Sequence, residues 1–178
     1  MAEVSLGRAL QPDGRFGPAV AVKRLLPHLT SDAAIVRMFL NEAEITRQID
    51  HPNVVPVYDA GEASGHVFIA MRFVDGTDLA AELGQRPMAI GRAMEIAAQV
   101  AAALDAAHEQ GLVHRDVKPS NVLIDRRGHC YLTDFGISLS AVDPLRVADT
   151  GLVGTVDYVA PEQIRGENVD GRGDLYSL

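Results

Sequence analysis

The 178-residue chain has no tryptophan, a single cysteine and only 5% aromatic residues. One cysteine, Cys130, excludes an internal disulfide. It stands in an apolar run where a small buried hydrophobe is the expected role, and a reducing cytosol suits that usage. Basic residues are scarce as well. Sixteen Lys and Arg face 24 Asp and Glu, a net charge of −8, so the chain lacks the basic face that binding to nucleic acid or another polyanion requires. Any phosphate recognition must therefore be local. No stretch approaches the roughly 18 apolar residues of a membrane span, and residues 1–8 hold no signal-peptide core. Internal repeats and low-complexity tracts are also missing. What remains is 47% hydrophobic residues, enough to bury one globular domain or two small lobes.

The pattern changes character near residue 76. Before it, short apolar runs alternate with turns: residues 4–10, the turn Gln-Pro-Asp-Gly at 11–14, then 19–22, 54–58 and 66–73. These predict strands of a small sheet. Between them, residues 32–50 carry Ile35, Phe39, Ile45 and Ile49 at helical spacing. Asp75-Gly76 breaks the pattern, and beyond it residues 90–110 are apolar on nearly every side except Glu95, Gln99 and Asp105, which predicts a buried helix. Two short strands follow at 121–124 and 130–133, and then a long irregular stretch.

The chemistry gathers after that helix, in His114-Arg115-Asp116-Val117-Lys118-Pro119-Ser120-Asn121. Phosphoryl transfer needs a carboxylate to orient the attacking hydroxyl, a cation for the moving charge and a metal ligand close by; Asp116, Lys118 and Asn121 supply these types. Thirteen residues after Asn121 comes Asp134-Phe135-Gly136, whose carboxylate adds a second hard oxygen ligand suited to magnesium. Upstream, Val20-Ala21-Val22-Lys23 ends a strand in a lysine. A strand-end lysine is ordinarily just solvated, but Glu42 lies on the apolar stripe of the 32–50 helix, whereas Glu44 is rotated away by about 200°. An inward carboxylate needs a partner: Lys23 is the expected one, and Arg47, five residues on, is poorly placed.

On these motifs the chain resembles the catalytic domain of eukaryotic-type (Hanks-type) Ser/Thr protein kinases, and the resemblance extends over essentially all 178 residues. It implies an α+β, bilobal fold: a small β-rich lobe with one helix at 1–71, a hinge at 72–76 and an incomplete, mainly helical lobe at 77–178. It implies ATP and Mg2+ as cofactors, with Mn2+ as an alternative metal. Asp116 would be the catalytic base, Lys118 would attend the phosphoryl group, Asn121 and Asp134 would hold metal, and Lys23 paired with Glu42 would hold the α and β phosphates. Met71 would be the gatekeeper, backbone groups of Arg72 and Val74 would read adenine, and Val4, Ala21 and Leu123 would pack on the nucleotide. An acidic residue is frequent in the family where Arg72 stands. His114 takes a structural role, packing under the Asp-Phe-Gly turn.

The segment Gly154-Thr155-Val156-Asp157-Tyr158-Val159-Ala160-Pro161-Glu162 resembles the peptide-binding end of an activation segment, which separates the chain from small-molecule phosphotransferases. Thr155 with Lys118 points to Ser or Thr acceptors, and Gln163 resembles bacterial members. Arg115 resembles the arginine that receives an activating phosphate; Thr150 is the first candidate site, with Ser138 and Ser140 as alternatives. The implied partners are ATP, protein substrates and a second kinase domain for trans-autophosphorylation, and the implied location is the cytoplasm.

Two departures concern the ends. Residues 1–4 match only the last four positions of the family's Gly-x-Gly-x-x-Gly-x-Val loop, and 174–178 resemble the start of a helix that continues further in the family. In the family Asp174 holds the catalytic-loop backbone and Glu162 pairs with an arginine from later helices. A buried Glu162 without that partner would cost about 3 to 5 kcal/mol. The polypeptide as given is thus expected to be weakly active or inactive and poorly stable, within a gene product that is an active kinase. The alternative is a catalytically silent kinase fold that binds nucleotide or serves as a regulatory scaffold.

Overall fold

The computed structural model describes residues 1–85, 87–135 and 156–178, except for the side chain of Val156. Two compact units emerge: Met1–Gln48 with Val55–Val74, and Ile49–Val54 with Asp75–Leu178. The fold is α+β.

In the first unit, β1 (Ala2–Leu10), β2 (Phe16–Leu25), β3 (Val57–Ala63) and β4 (His66–Arg72) form an antiparallel sheet in the order β1-β2-β4-β3. The β3–β4 turn explains its own sequence. Ser64 and Gly65 both adopt positive φ, 51° and 76°, the twist that a two-residue hairpin demands. Helix α1 (Ala33–Gln48) starts where the Asp32 carboxylate accepts the amides of Ala34 and Ile35 at 2.8 and 3.3 Å. It buries Phe39, Ala43 and Thr46 and packs on the sheet, where Leu25, Val67 and Ile69 are also buried.

The strand expected at 54–58 lies elsewhere. Pro56 has no amide to donate to a ladder; β3 begins at Val57, bulges before Asp59, and runs on to Ala63, while Val54 makes a single parallel bridge to Leu132. Its polar residues concealed it, because an edge strand with one open side need not be apolar.

The second unit is built on α3 (Ile90–His108), which buries Ile96, Val100, Ala103, Leu104 and Ala107 along one stripe. This corrects the expectation of a helix buried all round: Ile90 and Met94 are 81% and 68% exposed. Beside α3 lie β5 (Gly76–Asp78), α2 (Leu79–Gln85), β6 (Val122–Asp125) and β7 (Cys130–Leu132), the strands ordered β5-β6-β7. Gly76 is required there, since a Cβ would lie 1.8 Å from the Ile124 carbonyl oxygen. Cys130, Leu132, Leu104 and Phe135 are each at most 1% exposed and form the core with the α3 stripe. The larger of these side chains contribute about 1.5–3 kcal/mol apiece. Asn53 ties residues 49–54 to this unit, its Nδ2 donating to the Cys130 carbonyl at 2.8 Å and to Gln99 Oε1 at 3.1 Å. Two short helices follow, α4 (Pro161–Ile164) and α5 (Gly171–Ser177), the latter capped by Asp170 accepting the Arg172 amide at 2.9 Å.

Candidate active site

A turn at Gly111, where φ is 74°, redirects the chain from α3 into residues 114–121. Arg115 is left-handed, with φ of 65°, a conformation that costs a non-glycine residue about 1–2 kcal/mol. Hydrogen bonds offset the cost. Asp174 on α5 accepts the His114 amide on Oδ2 at 2.8 Å and the Arg115 amide on Oδ1 at 2.7 Å. The carboxylate is 1% exposed and also meets His108 Nε2 at 2.7 Å. Gln163 Nε2 donates to the Arg115 carbonyl at 2.8 Å. His108 carries no motif of its own in the sequence, and Gln163 stands out there only by its resemblance to bacterial members; the partners of both come from tertiary return of the chain.

The loop so held brings three expected residues together. Asp116 Oδ2 accepts from Lys118 Nζ at 2.8 Å and from Asn121 Nδ2 at 3.0 Å, and Asn121 Nδ2 also donates to the Asp116 carbonyl at 2.8 Å. Asp116 and Lys118 remain about one-fifth exposed, 21% and 23%, so a substrate can reach them, while Asn121 is buried. Such a cluster can orient a hydroxyl, accept its proton and balance negative charge on a neighbouring group.

His114 is fully buried. Its Nε2–H donates to the Thr133 carbonyl at 3.1 Å, its Nδ1 accepts the Asp116 amide at 3.2 Å, and its ring packs against Phe135 with centroids 4.6 Å apart at a tilt of 42°. An Nδ1 that accepts from an amide carries no proton, so the ring is neutral. Burial pushes its pKa below the ordinary histidine value, against the opposing pull of Asp174, the Thr133 carbonyl, Asp116 and Asp134. Asp134 follows with φ of 60° and accepts from Thr133 Oγ1 at 3.4 Å. Asn121 and Asp134 offer hard oxygen donors of the kind magnesium takes, and an ion that keeps its waters and binds substrate phosphates needs no larger protein set. Among the described residues, no group of three or more His, Cys, Asp or Glu is arranged to hold a metal ion.

In the first unit, Lys23 Nζ lies 2.8 Å from Glu42 Oε1, both side chains 14% exposed, and 5.9 Å from the centre of the Phe39 ring. Arg47 is engaged elsewhere, with the Tyr58 carbonyl at 3.1 Å and Glu44 at 3.9 Å. Strand register places Val4 opposite Lys23 and Ala21 opposite both Leu6 and Met71, so these side chains share one sheet face. Val4 is exposed and Met71 buried. The Arg72 amide donates to the Pro56 carbonyl at 3.0 Å, and Val74 is half-buried. Leu123, half-buried on β6, stands opposite Tyr131 and Asp78. Thr150, Thr155, Ser138, Ser140, Gly136 and Gly154 lie outside the described residues. Glu162 is half-buried, not buried, so the burial cost anticipated for it does not arise.

A cavity of about 280 Å³ in the second unit is lined by Leu79, Ile96, Val100, Val122 and Leu178, with Lys118 on its border. Its walls are mostly aliphatic, and through Lys118 it borders the polar cluster described above.

The protein kinase domain pattern matches residues 13–178. Serine/threonine-protein kinase PknD of Mycobacterium tuberculosis is 42% identical over 167 residues, covering 93% of this chain and 25% of that protein. PknB of Mycobacterium leprae is 39% identical over 184 residues, covering 100% of the chain and 29% of PknB. The chain thus spans about a quarter of the length of these curated relatives. Among solved structures, the Mycobacterium tuberculosis PknI kinase domain superposes with a TM-score of 0.73 at 36% identity, covering 99% of this chain and 65% of that one. Matched over nearly its whole length in sequence and in fold, the chain belongs to the protein kinase domain family.

Proposed function

We propose that the chain carries the catalytic machinery of a Ser/Thr protein kinase that moves the γ-phosphoryl group of Mg-ATP to Ser or Thr hydroxyls of proteins, with residues 1–71 as the small lobe, 72–76 as the hinge and 77–178 as part of the large lobe. One observation carries this reading: Lys118 and Asn121 converge on a single oxygen of Asp116, at 2.8 and 3.0 Å. Asp116 orients the acceptor hydroxyl and takes its proton. The hydroxyl oxygen forms a bond to the γ phosphorus as the bond from that phosphorus to the bridging oxygen breaks, and ADP leaves with the pair of electrons. Lys118 balances charge on the moving group. Magnesium, when bound, neutralises phosphate charge, and Asn121 with Asp134 would hold it.

Lys23, held by Glu42, pairs with the α and β phosphates. Val4, Ala21, Met71 and Leu123 offer apolar contact to the base, and backbone groups of Arg72 and Val74 read its edge. Arg115, Thr150 and Thr155 serve regulation and acceptor choice, and a second copy of the kinase supplies trans-autophosphorylation. The PknD and PknB names support a Ser/Thr rather than a Tyr acceptor. A cytoplasmic site of action, where ATP is plentiful and Cys130 stays reduced, suits this chemistry. The test is transfer from labelled ATP to a generic basic protein, with Asp116→Asn as control. Asp116-dependent labelling of serine or threonine is expected of the whole gene product, and weak labelling or none of the 178-residue chain; nucleotide binding by the whole gene product without any transfer would favour the scaffold reading.

A further inference from the structure

We propose, resting on the kinase reading above, that Gln163 is a positioning residue: its side-chain amide fixes the peptide group that carries Asp116. Two peptide groups flank Arg115. The one before it presents its N–H to Asp174 Oδ1 at 2.7 Å. The one after it has its N–H on His114 Nδ1 at 3.2 Å and its carbonyl on Gln163 Nε2 at 2.8 Å. Between them Arg115 sits at φ of 65°, which an arginine keeps only when its surroundings impose it.

Relaxation of that residue would rotate the second peptide and swing Asp116 away from Lys118 and Asn121. Asp174 and His114 restrain amide hydrogens; Gln163 restrains the carbonyl, the end on which rotation of this peptide would act. Its own backbone is well placed to do so. Gln163 N and Ile164 N both donate to the carbonyl of Ala160, at 3.0 and 3.1 Å, and Ala160 is fully buried, so the side chain leaves from a fixed turn. The bond spans 48 positions of sequence and links α4, which begins within the segment that resembles the peptide-binding region, to the peptide group that carries the reacting carboxylate. A shift of α4 is therefore passed to Asp116 through one hydrogen bond.

The test compares Gln163→Met, which keeps the length and loses the donor, with Gln163→Lys, which keeps a donor of similar reach. Steady-state phosphoryl transfer and amide hydrogen exchange at Asp116 are measured on both and on the 178-residue wild type, with the urea midpoint recorded for each. Q163M is expected to lower kcat about tenfold with the KM for ATP within about twofold, and to speed exchange at Asp116 by a similar factor, whereas Q163K restores most of both. Unchanged kcat and exchange in Q163M would overturn the proposal, as would a loss that Q163K does not rescue or one that simply follows a lowered urea midpoint. If the 178-residue wild type shows no Asp116-dependent transfer, the weak activity expected of it is met, and the kinase reading is decided by the same assay on the whole gene product, where no transfer would end it. The exchange arm then decides the positioning role by itself: faster Asp116 exchange in Q163M upholds it, and equal exchange removes it.

Discussion

The carboxylate of Asp174 accepts the amide of Arg115 at 2.7 Å, so a residue on α5 sets the backbone of a loop 59 positions earlier. That contact holds a left-handed residue in place, and its removal has two costs: an unsatisfied buried amide and release of the loop. Asp174→Ala is expected to destabilise the chain by about 3–5 kcal/mol. Asp174→Asn, which keeps one acceptor oxygen, should lose about 1–3 kcal/mol. Urea unfolding of both variants checks the order. Equal, small losses would mean that the loop does not depend on this carboxylate.

The Lys23–Glu42 pair makes a separate prediction. Both side chains are 14% exposed, so screening by water is limited, and a double-mutant cycle with Lys23→Met and Glu42→Gln should give a coupling of about 1–2 kcal/mol in stability. Each single variant should lower kcat/KM for ATP by about a hundredfold. A cycle that closes to zero would show that the two residues act independently.

Stability should depend on pH through His114. Burial depresses the folded-state pKa below the unfolded value near 6.5, so the unfolded chain binds the proton more readily. Above pH 6.5 both states are neutral at this residue and its contribution is fully present; as pH falls below 6.5 stability drops, by at most about 1.4 kcal/mol per pH unit, until the folded pKa is reached. His114→Asn should flatten this part of the profile. Chemical denaturation between pH 8 and 5 is the measurement, and a slope unchanged in the variant would assign the dependence to other groups.

The sequence was most informative where chemistry restricts residue type. Asp116, Lys118 and Asn121 stood within six residues, and their convergence on one oxygen follows from a single turn of backbone. The Lys23–Glu42 pair was readable because Glu42 falls on the apolar stripe of a helix whose period is fixed. His108 and Gln163 were not readable as partners of the loop, since nothing local says that α4 and α5 return to residues 114–116. The strand at 57–63 escaped because an edge strand with polar residues has no apolar alternation. Alanine misled along α3, where it fits buried and exposed positions alike, so that the exposed Ile90 and Met94 passed for core.

Asn121 should affect metal use more than nucleotide binding. Its Nδ2 is committed to Asp116, at 2.8 Å to the carbonyl and 3.0 Å to Oδ2, which leaves its carbonyl oxygen as the ligand atom. Asn121→Ala is expected to raise the magnesium concentration for half-maximal activity about tenfold or more, and EDTA should abolish transfer by the wild type. An unaltered magnesium dependence would remove Asn121 from the metal site.

Whether Asp116 serves phosphoryl transfer to a protein hydroxyl is tested most directly by the initial rate of label transfer from γ-labelled ATP to a protein acceptor. Wild type and Asp116→Asn are compared at matched urea midpoints, with nucleotide affinity measured alongside. In the whole gene product the wild type is expected to form phosphoserine and phosphothreonine, and the variant to lose about a hundredfold or more in rate while keeping ATP affinity within about twofold. Equal, measurable rates in the two proteins would contradict that role.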